Sequence, residues 1–256
     1  MNEIIVARDY PKIAVINLNR PDAKNALDLE MRKKLAHACN ELAIDGDVHC
    51  VVITGGEKVF SAGADLKLLA RMTPQGIAGL GFDGFWEAVR RFPKPLIAAV
   101  NGFALGGGCE LALHCDFIIA GDNAKFGLPE ARVGIMPGAG GTQRLVRAVG
   151  KYAALHMLMT GTVASADRAY ALGLVSELMT PDKTIGRALE LACQIAELPP
   201  IALASIKKVV LAGADLPLEA ALMLENNAMR LLFDTQDQKE GMNAFIEGRK
   251  PKFKGA

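Results

Sequence analysis

Residues 96–110 read L-I-A-A-V-N-G-F-A-L-G-G-G-C-E. The apolar run Leu96–Val100 stops at Asn101, and Gly106, Gly107 and Gly108 lead into helix-forming residues. This pattern predicts a buried strand, a tight turn and a helix start. Lacking Cβ atoms, the glycines let a ligand come close to the peptide N–H groups. A helix beginning near Gly107 leaves its first N–H groups unpaired at the positive end of its dipole, so Gly107 is a candidate donor to a developing oxyanion. Glu110 lies three residues further on, hence on the same helix face. A single turn thereby offers both an anion-stabilising donor and a base. The same residues also suit a helix that packs closely through its glycines and carries a glutamate in its first turn, and this stretch alone does not separate the two.

The second informative stretch, residues 126–145, reads F-G-L-P-E-A-R-V-G-I-M-P-G-A-G-G-T-Q-R-L. It places Glu130 after a proline-fixed loop and before another glycine-rich helix start. With F-S-A-G-A-D-L-K at residues 60–67, N-R-P at 19–21 and R-K-P-K-F-K-G at 249–255, the chain resembles, over essentially its whole length, the enoyl-CoA hydratase branch of the crotonase superfamily.

That resemblance implies an α/β fold, a crotonase-like spiral of ββα units with a helical C-terminal oligomerisation region that builds trimers pairing into hexamers. It implies an oxyanion hole made by the backbone N–H groups of Ala64 and Gly107, and catalytic glutamates at Glu110 and Glu130. Ala64, Asp65, Leu66 and Lys67 match the segment lying along the adenine and pantetheine of coenzyme A. Lys67 is equally read as a solvated lysine on a helix turn. Phe245 matches a residue that in relatives packs against the CoA of a neighbouring subunit, whereas Gly248 stands where a basic residue is expected, leaving Arg249 or Lys250 as substitutes. The implied reaction is syn addition of water across the 2,3 double bond of a trans-2-enoyl-CoA, giving 3-hydroxyacyl-CoA. Coenzyme A is part of the acyl-CoA substrate, and no separate cofactor or metal is expected. The retained glutamate pair favours hydration over the alternative of an enoyl-CoA isomerase or another crotonase-type acyl-CoA lyase or hydrolase. Residues 96–102, 127–130 and 134–145 are similar to the 2,3-dehydroadipyl-CoA hydratase subgroup of phenylacetate breakdown. A dicarboxylic acyl group needs a cation or polar donor at the far end of its pocket, for which Arg71, Arg90 and Arg91 are candidates.

Composition sets outer limits. With 256 residues, 51% hydrophobic and 22% charged, the chain can bury a large core without disulfide or metal staples. A formal net charge of +1 argues against a protein that coats nucleic acid or an anionic membrane, so affinity for a nucleotide's phosphates has to be local. Cys39, Cys50, Cys109, Cys115 and Cys193 show no C-x-x-C spacing and read as reduced thiols. The start, M-N-E-I-I-V-A-R-D-Y, lacks the features of a signal or transit peptide, and a cytoplasmic protein is expected. Asn101, Glu110 and Asp116 interrupt the long apolar stretch, where a membrane span needs about 20 apolar residues.

Ile13–Leu18, Cys50–Thr54, Leu96–Val100 and residues 117–120 read as buried strands. Met31, Leu35, Cys39 and Leu42 recur at helical spacing after Asp28, a candidate N-cap. From Thr184 onward the strand pattern stops and three or four helices are expected. This divides the chain into an α/β core, residues 1–198, and a helical region, residues 199–256; the resemblance implies that the first carries the site and the second builds the trimer.

Other signals are set aside on physical grounds. Gly79, Gly81 and Gly84 spell G-x-G-x-x-G, but no strand pattern precedes them, and a loop leading into a helix near Phe82 is expected, which the resemblance implies helps to shape the acyl pocket. The run G-A-G-G-T-Q at 138–143 lacks a phosphate-binding lysine and is expected below Glu130. His114, Cys115 and Asp116 are contiguous and cannot converge as a triad. His37, His49 and His156 show no metal-ligand spacing. Met157, Leu158 and Met159 read as helix core filling.

Overall fold

The computed structural model describes residues 2–79 and 81–256; Met1, and Leu80 within the glycine run, lie outside the described residues. Strands β1 (Ile4–Tyr10) and β2 (Ile13–Leu18) pair antiparallel, helix α1 (Leu29–Ile44) follows, and β3 (Cys50–Thr54) runs parallel to β2. Short helices α2 (Leu66–Leu69), α3 (Pro74–Gly79) and α4 (Phe82–Arg90) lead to β4 (Leu96–Val100). Next come β5 (Phe103–Leu105), α5 (Gly107–His114), β6 (Phe117–Gly121), β7 (Lys125–Gly127), α6 (Gly141–Thr160), β8 (Ala164–Ser165), α7 (Ala166–Ala171) and β9 (Glu177–Met179). Four helices close the chain: α8 (Thr184–Ala196), α9 (Pro200–Gly213), α10 (Leu218–Leu232) and α11 (Gln236–Ile246).

The larger sheet has the order β1-β2-β3-β4-β6-β9 and is parallel from β2 onward; the smaller has the order β5-β7-β8. The chain alternates between them. β4 feeds the large sheet, β5 the small one, and α5 follows; β6, β7 and α6 repeat the step. These are successive ββα turns of a spiral, so the start of each helix lands beside the small sheet.

The apolar runs of β2, β3 and β4 are uninterrupted because both faces of the large sheet are covered. On one side, Ile13, Val52, Ile97 and Ile119 pack against Ala188, Ala192 and Ile195 of α8. On the other, Ile16, Ile53, Ala98 and Val100 join Met31, Leu35, Cys39 and Leu42 of α1. Asp28 caps α1 by accepting the Met31 N–H at 2.8 Å, as its position before the helical stripe predicts.

Two expectations are corrected. The glycine-rich segment before Phe82 is not simply a loop, since α3 occupies part of it and Gly81, at φ 66°, turns the chain into α4. Met159 is not core filling: Met157 is buried but Met159 is 74% exposed, because the two are separated by 200° around α6 and face opposite sides.

Candidate active site

The segment before α2 runs as an extended arm beside β5: Ser61 N donates to Phe103 O at 2.9 Å and Leu105 N to Ser61 O at 3.0 Å. At its end Gly63 takes φ 98°, and a Cβ there would stand 2.5 Å from Leu105 O, so only glycine fits the crossing. This close approach brings Ala64 to the start of α5. The Ala64 nitrogen lies 3.7 Å from where a Cβ on Gly107 would stand. Neither the Ala64 nor the Gly107 N–H has a hydrogen-bond acceptor among the described residues. Two unpaired amides therefore sit side by side, one from a loop and one from the first residue of a helix.

Glu110, in the first turn of α5, is 4% exposed. Its Oε1 accepts the Ala139 N–H at 2.7 Å and the Gly141 N–H at 2.9 Å. Burial pushes its pKa up, opposed by those two bonds and by the charges of Arg32 and Arg144. The 138–143 run, expected below Glu130, also holds Glu110: the amide of Gly141 at the start of α6 and that of Ala139 just before it both donate to its carboxyl group.

Glu130 sits in a one-turn helix, Pro129–Val133. A Cβ on Gly106 would lie 2.8 Å from its Oε1, so glycine at 106 makes room for the carboxyl group beside the start of α5. The Glu130 Oε2 is buried without a hydrogen-bond partner among the described residues. Burial, reinforced by the negative field of Glu110, pushes its pKa up to about 7. The two carboxyl groups thus differ in support: Glu110 has two backbone donors from the 138–143 run and two nearby cations, and Glu130 has only its own backbone N–H.

Behind them, His114 Nδ1 meets Glu110 O at 2.8 Å and its ring stacks on Trp86 at 5.1 Å. Burial pushes the imidazole down to about 4, so it is neutral and donates Nδ1–H to that carbonyl. Asp116 accepts the Leu96 N–H and pairs with Lys207 at 2.8 Å. The contiguous His114, Cys115 and Asp116 are thus structural.

The remaining sequence candidates are more dispersed. Asp65 caps α2 by accepting the Lys67 N–H at 3.0 Å, while Leu66 and Lys67 are exposed beyond Ala64. Phe245 on α11 is 87% exposed. Gly248, at φ 68°, ends that helix; Arg249 grips Glu240 and Glu247, and Lys250 pairs with Glu197. Arg90 and Arg91 both hold Glu87, and Arg71 is exposed. The cations nearest Glu110, Arg32 and Arg144, were not singled out in the sequence, where Arg32 looks like one of several lysines and arginines on an ordinary helix.

Adjacent acceptor-free amides beside a buried carboxylate pair define a site for an activated carbonyl compound that gains and loses protons as it reacts. The chain belongs to the enoyl-CoA hydratase/isomerase family, whose model matches residues 8–256. Among its relatives, the 2,3-dehydroadipyl-CoA hydratase of Escherichia coli (strain K12) is 44% identical over 255 residues, covering 100% of both chains. The crotonyl-CoA hydratase of Syntrophomonas wolfei is 41% identical over 254 residues, covering 98% of each. The enoyl-CoA hydratase structure from Bacillus anthracis superposes with a TM-score of 0.95 at 37% identity, covering 100% of both chains.

Proposed function

We infer that this chain is an enoyl-CoA hydratase, a lyase that adds water across the 2,3 double bond of a trans-2-enoyl-CoA. The observation that carries the mechanism is the contrast between two neighbouring carboxyl groups beside a pair of acceptor-free amides. In an α,β-unsaturated thioester, the β-carbon accepts a nucleophile only as negative charge moves onto the thioester oxygen. The Ala64 and Gly107 N–H groups supply donors for that charge, each worth roughly 3 to 4 kcal/mol of barrier in comparable sites.

Water then needs a base, and the α-carbon needs a proton. Glu110, supported by two N–H donors and two nearby cations, is the ionised base. Glu130, with a buried oxygen lacking a partner, is the protonated acid. Two close carboxyl groups resist ionising together, which reinforces the mixed state. Residues 64–67 would lie along the coenzyme A moiety of the substrate, and the acid–base chemistry calls for no further cofactor.

The finer readings follow the same logic. The 44% identical dehydroadipyl-CoA hydratase supports a dicarboxylic enoyl-CoA as substrate, with the place in phenylacetate breakdown that this implies. The exposed Phe245 and the apolar surface of the last helices support a trimer or a hexamer built from trimers through residues 199–256. Five free thiols and no described helix long and apolar enough to cross a membrane support a cytoplasmic enzyme.

The test is to follow loss of the conjugated thioester absorbance when the purified protein meets crotonyl-CoA and 2,3-dehydroadipyl-CoA. Glu110→Gln and Glu130→Gln should each lower kcat by roughly 100- to 10,000-fold while acyl-CoA still binds. Absence of hydration on every chain length, or migration of the double bond without water uptake, would overturn the reading.

A further inference from the structure

The two acceptor-free amides are held by different means. Gly107 opens α5, so the helix itself aims its N–H. Ala64 has no such frame: between the end of β3 at Thr54 and the start of α2 at Leu66 the chain forms only isolated bridges, at Ser61 and Ala64. An amide that stabilises a developing charge has to be aimed in advance, and for Ala64 the aim must come from bonds outside the arm.

Those bonds converge on Asn25. It is buried and takes φ 53°, a left-handed conformation that asparagine tolerates better than most residues. Its Nδ2 donates to the carbonyl oxygens of Gly55 at 3.1 Å, Val59 at 2.9 Å and Phe60 at 3.2 Å, which gathers the arm onto one amide group. Its Oδ1 accepts the Arg20 N–H at 2.8 Å, which fixes the end of the amide that faces the three carbonyls. Its backbone carbonyl accepts from the Ser61 hydroxyl at 2.7 Å, and that Oγ in turn accepts the Gly63 N–H at 3.2 Å. Two residues along, the Leu27 N–H donates to Gly63 O at 2.7 Å. Gly63 is thus gripped at both its nitrogen and its oxygen from the 25–27 turn. A trans peptide is planar, with its C=O and N–H pointing to opposite sides, so fixing Gly63 O on Leu27 turns the Ala64 N–H away from Leu27 and leaves it open to a ligand. A clamp that only closed the loop would end at Phe60; this one runs on to the peptide that carries the donor.

We propose that Asn25 is the positioning residue for the Ala64 amide, acting through Ser61 and Gly63, and that it sets how strongly the paired amides polarise the substrate thioester. The inference rests on the hydratase reading and gives Asn25 no contact with substrate. Without its side chain the arm still pairs with β5 through Ser61 N and Ser61 O, so acyl-CoA continues to bind while the Ala64 N–H loses its aim. The loss falls on the transition state, where the charge on the thioester oxygen is greatest and a displaced donor costs most.

The experiment pairs kinetics on crotonyl-CoA with a spectroscopic probe, butyryl-CoA carrying a carbon-13 label at the thioester carbonyl. That thioester has no double bond to hydrate, and hydrogen bonds to its oxygen lower the infrared C=O stretch. Both are measured on the full chain, Asn25→Gly and Ser61→Ala, each checked for folding by thermal melting. Asn25→Gly keeps the left-handed backbone accessible and removes only the clamping amide; Ser61→Ala removes the hydroxyl and leaves the bonds of its backbone. Binding to the unaltered protein should lower the stretching frequency. In Asn25→Gly about half of that lowering or more should vanish, with kcat down about 30-fold and KM changed by less than about threefold. Ser61→Ala should move the same quantities in the same direction, with kcat down about 10-fold, and is the deciding variant if Asn25→Gly does not fold. A folded variant that melts lower but keeps both the frequency shift and kcat has lost a structural clamp only, which overturns the inference and leaves the hydratase reading intact, as does a change in either quantity without the other. An unaltered protein that neither hydrates crotonyl-CoA nor lowers the stretch of bound butyryl-CoA overturns both.

Discussion

Helices α1 and α9 are of similar length and both are rich in apolar residues, yet they end in opposite situations. α1 buries Met31, Leu35, Cys39 and Leu42 against the sheet, whereas neither α9 nor α10 contains a buried residue. Val210, Met223 and Leu231 are 63%, 68% and 74% exposed. The sheet and its two flanking helix layers complete a core within one chain, while the tail helices present hydrocarbon that the chain does not cover. Where such exposed apolar side chains are contiguous, they mark an interaction site. On our proposal, the chemistry belongs to the first region and assembly to the second.

The sharpest break between the two would come at the oxyanion amides. Gly107→Pro deletes one N–H at the first helical position, where proline is tolerated, and kcat should fall about 100- to 1,000-fold with a native far-ultraviolet spectrum. A variant retaining full turnover would remove Gly107 from the mechanism.

Lys207→Met tests the seam between the regions. Lys207 of α9 reaches Asp116 at 2.8 Å and Lys94 O at 2.9 Å, both partly buried. Stripping the cation from a buried carboxylate costs about 3 to 5 kcal/mol, which chemical denaturation should reveal. A loss under about 1 kcal/mol would mean that the seam behaves as an exposed ion pair.

Glu130→Gln probes the core from the stability side. Glu130 has its folded pKa raised to about 7, above the ordinary glutamate value of about 4.3. Ionisation therefore costs folding stability, beginning as pH rises past the unfolded value and complete above the folded one. The glutamine variant should melt higher than the parent at pH 8 and by a smaller margin at pH 5, while losing activity at both. An equal margin at the two pH values would remove the titration argument.

The smallest effect on the fold is expected in the tail. Leu231→Glu replaces an exposed side chain, so stability of the subunit should change by roughly 0.5 kcal/mol or less. Sedimentation, by contrast, should shift from an oligomer toward single subunits. An oligomer of unchanged size would exclude Leu231 from the interface.

Legibility in the sequence follows the same division. β2, β3, β4 and β6 could be read as continuous apolar runs because both their faces are covered. β5, β7 and β8 could not, since strands of two or three residues contain no period to detect, and β1 hid because its edge position leaves most of it exposed. Gly107 and Glu110 share one turn, so local spacing was enough to propose them together. That Ala139 and Gly141 hold Glu110 depends on how α6 docks, 29 and 31 residues away, and no local pattern carries it. Arg32 was silent for the same reason: α4 buries it, and α1 alone does not.

The bond between Lys207 and Asp116 also bears on whether the tail can be detached. Asp116 follows the end of α5, the helix that begins with Gly107 and carries Glu110. Cutting the chain after residue 198 would remove the counterion from the far end of the catalytic helix as well as baring the sheet's neighbouring surface. Such a fragment is expected to be insoluble and inactive, so the division into core and tail marks a change of task along the chain rather than a seam along which it can be taken apart.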